Sequence, residues 1–379
     1  MNAIREAKLS MDLSYPEEEM QANWERMKAH AQFRYFDRVP VACSVSLRYI
    51  LRERGVGYDE YFSSPRSQVY HQLMNRKWRL EHIHDDTVQG PGVAVSPDFS
   101  TLRGTMFDVE VHWSDTEIPK TLPILHSTED VKRLKVPTPT NGLCGKKIEW
   151  YHEMREIVKE AKVTFNGKLV KVNVGIGGEG GPLPIALALA GENLLLWVVE
   201  APEVLHDLME KATQAFIDFE SYIRDLTGRT RRGCGMGCDG GEMFSPHDFS
   251  EFILPYYNRV YEEFPGRRGL HMCGRIDHLL DILRDEMKID SLNGFGDPVD
   301  RKLLAENLGG RVRMSGGVNI ASLLHGTRDQ IKDDCMDALR TFAPHGGYIL
   351  QDGNNVPPGT PLENLQVLTE CAESFGLPF

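Results

Sequence analysis

The chain has 379 residues, 41% hydrophobic and 26% charged, an ordinary globular profile long enough for one large α/β barrel or for two domains. Its 43 Lys and Arg against 55 Asp and Glu leave a formal charge of −12, which argues against a nucleic-acid binder or a ligand of anionic membranes. The chain has no long apolar run of membrane-spanning length, Met1–Glu6 carries no apolar signal core, and its seven cysteines lack framework spacing; a cytoplasmic, reducing setting is expected.

Residues 1–37 are charged and helix-prone, with Pro16-Glu17-Glu18-Glu19 opening a helix that carries Met20, Trp24 and Met27. A buried strand is expected over 39–46. A polar helical region through Gln68-Val69-Tyr70-His71 leads to a second strand at 86–90, just after His84-Asp85-Asp86. Short apolar pieces and prolines over 91–146 predict a β excursion, ending in an extended linker at Val136-Pro137-Thr138-Pro139-Thr140. The strand at 169–175 runs through glycines into helical patterns at about 185–198 and 202–226. Strands near 233–238, 268–271, 289–292, 311–315 and 347–351 then alternate with helices near 248–263, 275–286, 298–307, 328–341 and 361–374. Such alternation implies right-handed crossovers and a parallel sheet. Eight strands predict an α/β fold of the (β/α)8 type, a TIM barrel, as a single domain over 1–379 with a helical N-terminal extension.

In such a barrel the active site lies at the C-terminal strand ends. Those ends collect Ser44, Ser46 and Arg48; His84, Asp85 and Asp86; Asn173 and Glu179; Cys234, Cys238, Asp239 and Glu242; His271 and Cys273; Asn293 and Asp297; Ser315 and Asn319; and Gln351, Asp352 and Asn354. Gly175-Ile176-Gly177-Gly178-Glu179-Gly180 fits G-x-G-x-x-G, but Pro182 and Pro184 displace the helix start that would hold a pyrophosphate, so a site loop is the preferred account. Cys234 and Cys238 are spaced unlike a zinc knuckle; Cys238 or Glu242 is nevertheless a candidate ligand from a neighbouring strand, against a packed-bystander account. Alternation at His84-Asp85-Asp86 puts one aspartate in the pocket as general acid, base or substrate partner, and one outside. His271 and Cys273, two residues apart on an extended segment, face one side together. An imidazole and a thiol so placed begin a zinc site; the alternative is a buried Cys and a hydrogen-bonded His at a strand-to-helix turn.

Several further stretches carry a resemblance: Gly181-Pro182-Leu183, Leu189-Ala190-Gly191, Pro202–Leu208, Phe244-Ser245-Pro246, Phe252–Tyr256, His271-Met272-Cys273-Gly274, Ser315–Asn319, Gly326-Thr327 and Pro357–Asn364. With these the chain resembles the uroporphyrinogen decarboxylase superfamily of (β/α)8 barrels, which holds both tetrapyrrole decarboxylases and corrinoid-linked methyltransferases. His-x-Cys-Gly marks the methyltransferase branch, where the resemblance implies zinc on His271, Cys273 and a later cysteine. Asn354 stands at the later position, so the third ligand passes to Cys238, Asp352 or Glu242, or the site holds no metal. The decarboxylase arginine motif is reduced to Arg48-Tyr49, with Ser44 where the leading arginine would stand, which leaves a polycarboxylate substrate short of counter-charge.

The resulting expectation is a methyltransferase moving a methyl group between a small methylated substrate and a corrinoid protein, thiol or folate. Metal ligands are His271, Cys273 and Cys238; catalytic groups are Asp86 and Glu242; substrate contacts are Asp85, Arg48, Asn173 and Asn354. The cofactors expected are zinc and a partner-borne corrinoid (cobalamin); the partners are a small methyl donor or acceptor and a corrinoid protein, with a homodimer admitted by the likeness. The rival expectation is a metal-free decarboxylase-like lyase acting on a small aromatic or tetrapyrrole acid.

Overall fold

A computed structural model describes residues 8–100, 104–115, 117–178 and 180–377. Glu179 lies outside the described residues. Eight short parallel strands form the centre: β1 (Val41–Ala42), β2 (Val93–Val95), β3 (Val172–Val174), β4 (Cys234–Gly237), β5 (Arg268–His271), β6 (Ser291–Phe295), β7 (Arg313–Val318) and β8 (Tyr348–Asp352). Six of them make one parallel sheet in the order β1-β8-β7-β6-β5-β4, and β2 pairs with β3 in a second. Among the described residues no ladder joins the two sheets. Single backbone hydrogen bonds approach the gaps, Asp86 N–H to the Val41 carbonyl and Gly237 N–H to the Gly180 carbonyl. The α/β class and the parallel sheet match expectation; closure into a barrel does not appear in the strand pairing.

The second strand falls at 93–95 rather than 86–90, and the reason is local. Asp85 accepts the backbone N–H of Cys43 at 2.8 Å and of Thr87 at 3.1 Å, so a side chain satisfies backbone groups that a ladder would otherwise take. The excursion contains a small hairpin, Val111–His112 with Lys120–Thr121, and runs at its end into a helix, Gly142–Ile157, that the texture of the sequence did not announce. The N-terminal segment is not purely helical. Ser10–Leu13 pairs in parallel with Lys162–Phe165 before the helix Glu17–His30 begins after Pro16. One expected helix breaks in two, Pro182–Ala190 and Asn193–Glu200, bent by 98°. No single described helix is long and apolar enough to cross a membrane.

Strand alternation decides what the sheet presents. Cys234, Met236, Leu270 and Leu292 are buried towards the helices, while Gly235, Gly269 and Ser291, level in register, lie on the opposite face. Gly237, His271 and Asn293 form the next level of that face. Helix Leu254–Glu263 grips the covered side, with the Tyr257 hydroxyl donating to the Gly237 carbonyl at 2.6 Å and Tyr261 to Gly269 at 2.8 Å. Each fully buried Leu or Phe on that side contributes about 1.5–3 kcal/mol. Glycine and serine on the other face leave room, and the sheet surface there remains open to solvent.

Candidate active site

That open face borders a cavity of about 700 Å³ lined by Gly180, Gly237, Asp239, His271, Asn293, Asn354 and Asn355 among others. His271 is the last residue of β5. Its Nδ1 lies 2.5 Å from Asn293 Oδ1, and its Nε2 lies 3.4 Å from Asp239 Oδ1. Cys273 Sγ donates to the same Asp239 oxygen at 3.4 Å. Met272, between the two, is fully buried, so His271 and Cys273 do share a side as the i, i+2 spacing predicts.

Glu242 sits beside this group in the turn Gly241–Met243, its Oε2 accepting Gly240 N–H at 2.9 Å. Its methylene stem fills the space where Gly274 (φ 82°) lacks a side chain; a Cβ there would stand 2.5 Å from Glu242 Cγ. Burial, then the negative charge of Asp239 and its hydrogen bond, then Glu242, push the Cys273 thiol up to about 11. Cys273 is also the only partly open thiol of the seven; the other six are buried. A limiting alkylating reagent at pH 8 is therefore expected to label Cys273 first, yet ~10–100-fold more slowly than a free thiol of ordinary pKa. Asp239→Asn should speed that labelling, and equal labelling of a buried cysteine would contradict the geometry.

Cys238 does not face the cavity. It is 0% exposed, its Sγ lies against the Gly241 backbone, and burial pushes its thiol up to about 12. The alternation of β4 carries on past its end, so Cys234, Met236 and Cys238 turn to the helices while Gly235, Gly237 and Asp239 turn to the cavity. The carboxylate of Asp239 thus occupies the place expected of the Cys238 thiol, and the same alternation was readable in Cys234–Asp239.

The other expected residues divide. Asn354 lines the His271 cavity. Arg48 lines a separate open cavity of about 690 Å³ with Arg52, Tyr58 and Lys120. Asn173 is exposed in β3, opposite Ala94. Asp85 and Asp86 lie under the helix Glu17–His30, where Asn23 donates to the Asp85 carbonyl. Asp85 is paired with Arg79 at 2.7 Å, and Asp86 with Arg26 at 2.8 Å and Arg38 at 2.6 Å. The structure does not bring these two aspartates together with His271, and their oxygens are engaged in holding β1 and its helix. Asp352, another expected third ligand, is also turned away from the cavity and buried, accepting Ser44 N–H at 2.7 Å.

Comparison with known proteins gives the family. The family described as uroporphyrinogen decarboxylase (URO-D) matches residues 24–375. The chain belongs to the uroporphyrinogen decarboxylase family. Its curated relatives include enzymes of two kinds. The methylcobamide:CoM methyltransferase MtaA of Methanosarcina barkeri is 25% identical over 55% of this chain, and the match spans only 62% of that enzyme's length. The uroporphyrinogen decarboxylase of Nostoc punctiforme is 27% identical over 76% of this chain and 84% of its own. A solved methyltransferase from Methanosarcina mazei shares the fold with a TM-score of 0.65 at 21% identity, covering 92% of this chain and 98% of that one.

Proposed function

We propose that this family member is a methyltransferase that passes a methyl group between a small methylated compound and a corrinoid protein, a thiol or a folate, with zinc assistance. The observation that carries the reading is the meeting of His271 and Asp239 at one open cavity, with Cys273 hydrogen-bonded to Asp239 beside it. Asp239 Oδ1 is 3.4 Å from both other donors, close to the ~3.3–3.5 Å ligand separations of a tetrahedral zinc with bonds of about 2.0–2.3 Å. Among the described residues no three such side chains are disposed to hold a metal, so the donor set suits zinc in kind and in two of its separations, and its side chains would have to turn to bind the ion. When bound, zinc supplies the Lewis acidity that ionises a thiol or draws electrons from an ether or amine heteroatom.

The chain's own groups have separable tasks in this scheme. Asp239 and Glu242 give the pocket a negative field that favours a cation and, without one, keeps the Cys273 proton on sulfur. The side-chain amides of Asn354 and Asn355 offer neutral donors and acceptors to a small substrate. The glycine-lined wall lets that substrate approach the sheet backbone closely. A porphyrinogen bearing many carboxylates would meet Asp239 there with little counter-charge, which favours the methyltransferase reading over the decarboxylase one. A corrinoid protein would dock over the cavity mouth, where its cofactor would supply the methyl acceptor or donor, while the cavity's own residues would hold and orient the small substrate.

The test is metal content of anaerobically purified chain beside Cys273→Ser and Asp239→Asn, followed by methyl transfer to reduced cobalamin from ether, amine and thiol donors. About one zinc per chain, reduced at least tenfold in both variants, is expected. No zinc in any of the three after zinc is offered would overturn the metal scheme. Metal-independent release of CO2 from a small aromatic or tetrapyrrole acid would establish the lyase reading in its place.

A further inference from the structure

We infer that Cys335 and Cys371 form a paired oxidation site, a dithiol that a peroxide converts to an intramolecular disulfide, with Cys371 the thiol that reacts first. Cys335 stands on the helix Arg328–Phe342, and Cys371 stands about one turn from the end of the helix Leu362–Phe375. Both are buried, and their thiols lie within hydrogen-bond reach of each other. Cys371 Sγ also lies 4.0 Å from the carbonyl of Lys332, which precedes Cys335 by about one helical turn. The protons therefore run one way, from Cys335 to the Cys371 sulfur and from Cys371 to that carbonyl. The helices are held side by side independently of the thiols, since Arg328 pairs with Glu370 next to Cys371. Disulfide formation thus asks two facing sulfurs to close a hydrogen-bond gap and leaves the helices in place.

The surroundings make the two thiols unequal. The hydrogen bond from Cys335 lowers the Cys371 thiol below its ordinary range, burial opposes this, and the charges of Lys332 and Arg328 add to the lowering against Glu370. The same hydrogen bond, then burial, raises Cys335, with Asp334 adding to the rise and Arg301 opposing it. Cys371 is therefore the thiol that gives up its proton, and the thiolate is the nucleophile. It attacks one oxygen of the peroxide; the O–O bond breaks, and the departing hydroxide takes up a proton to become water. Cys371 is left as a sulfenic acid. The Cys335 sulfur then attacks the Cys371 sulfur, its proton leaves with the hydroxyl as a second water, and the S–S bond forms. Two thiols lose two electrons, and the peroxide gains them. Peroxide is little larger than water, and the end of a helix is where opening costs least. The crosslink closes a loop that contains β8 and the Asn354–Asn355 stretch of the cavity wall.

The experiment treats native full-length parent, Cys335→Ser and Cys371→Ser chains with hydrogen peroxide until the partly open Cys273 is oxidised. Catalase then removes the peroxide, remaining thiols are alkylated in denaturant, and peptides are mapped by mass spectrometry without reductant. The parent is expected to give a peptide linking Cys335 to Cys371, lighter by two hydrogens and released by dithiothreitol. Its thermal midpoint should rise by ~3–8 °C on oxidation. In Cys335→Ser a 1,3-diketone reagent should capture a sulfenic acid at Cys371, whereas in Cys371→Ser the Cys335 thiol should survive. The parent map is decisive whether or not the variants fold. Two free thiols at 335 and 371 once Cys273 is oxidised overturn the inference, as does a link that forms only when the chain is unfolded before treatment. Sulfenic acid at Cys335 with none at Cys371 overturns the order of attack.

Discussion

An Asp86→Ala protein is expected to lose about 3–5 kcal/mol of folding stability, seen as a lower denaturation midpoint at unchanged slope. The carboxylate is 2% exposed and meets Arg26 and Arg38, themselves only 13% and 11% exposed. Its Oδ1 accepts from Arg26 at 2.8 Å and Arg38 at 2.9 Å; its Oδ2 accepts from Arg38 at 2.6 Å and from the Val41 backbone N–H at 2.7 Å. Alanine would leave two guanidiniums and a strand amide with lost partners in a site that water reaches poorly. By contrast, the exposed pair Arg231–Asp225 is screened by water, and its removal should leave the denaturation midpoint nearly unchanged. The comparison also tests chemistry against architecture. An Asp86→Ala chain of undiminished stability that had lost turnover would return Asp86 to the catalytic role first expected of it.

Asp86 illustrates where sequence reasoning runs short. His84-Asp85-Asp86 stands before an apolar stretch and so reads as a strand-end acid. What decides its role is the arrival of Arg26 and Arg38 from the N-terminal segment, contacts 60 and 48 residues away in sequence. Periodicity is a local signal, and ion pairing across such distances leaves no local trace. The same limit applies to Ser10–Leu13, whose parallel partner begins at Lys162. The later strands and most later helices were legible because each repeats a self-contained pattern, although the helix expected at 248–263 is two, Pro246–Phe252 and Leu254–Glu263, and that at 275–286 is a 3-10 turn, Asp277–Leu279, followed by a π turn, Ile282–Glu286. The helix Pro202–Thr227, for instance, carries its own proline start and a regular buried face.

At the candidate site, spacing was enough for His271 and Cys273, since both lie on one strand exit and parity settles their side. It was also sufficient, though differently used, for Asp239. Cysteine chemistry drew attention to Cys238, whereas strand parity buries Cys238 with Cys234 and Met236 and exposes Asp239. Ligand softness and strand geometry disagreed there, and geometry prevailed because a buried thiol cannot turn through the backbone that carries it. Asn293 was visible as a strand-end amide, but its service to His271 depends on inter-strand register, which a single sequence does not specify.

The reverse of the Asp86 effect is expected at Asp352, where Asn should stabilise the chain at neutral pH. Asp352 is 1% exposed; its Oδ1 accepts Ser44 N–H, and among the described residues its Oδ2 has no hydrogen-bond partner. Burial, opposed in part by that hydrogen bond, pushes its carboxyl up to about 6, above the ordinary value of 3.8. A carboxyl that holds its proton more tightly folded than unfolded favours the fold below about pH 4, and the advantage is lost as pH rises through 4 to 6. Above that window the ionised group costs roughly 2–3 kcal/mol, at about 1.4 kcal/mol per pH unit. Asparagine keeps an oxygen for Ser44 N–H and removes the charge, but sets an amide N–H₂ where Oδ2 already lacks a partner, which takes back about 1–2 kcal/mol. The net expectation is a gain of about 1 kcal/mol at pH 7.5, a loss of about 1 kcal/mol near pH 4, and a flatter stability profile between them. Denaturation midpoints at pH 4.5 and 7.5 for parent and variant read this directly. Equal pH slopes in the two proteins would mean that Asp352 is ionised throughout, with its charge balanced inside the fold.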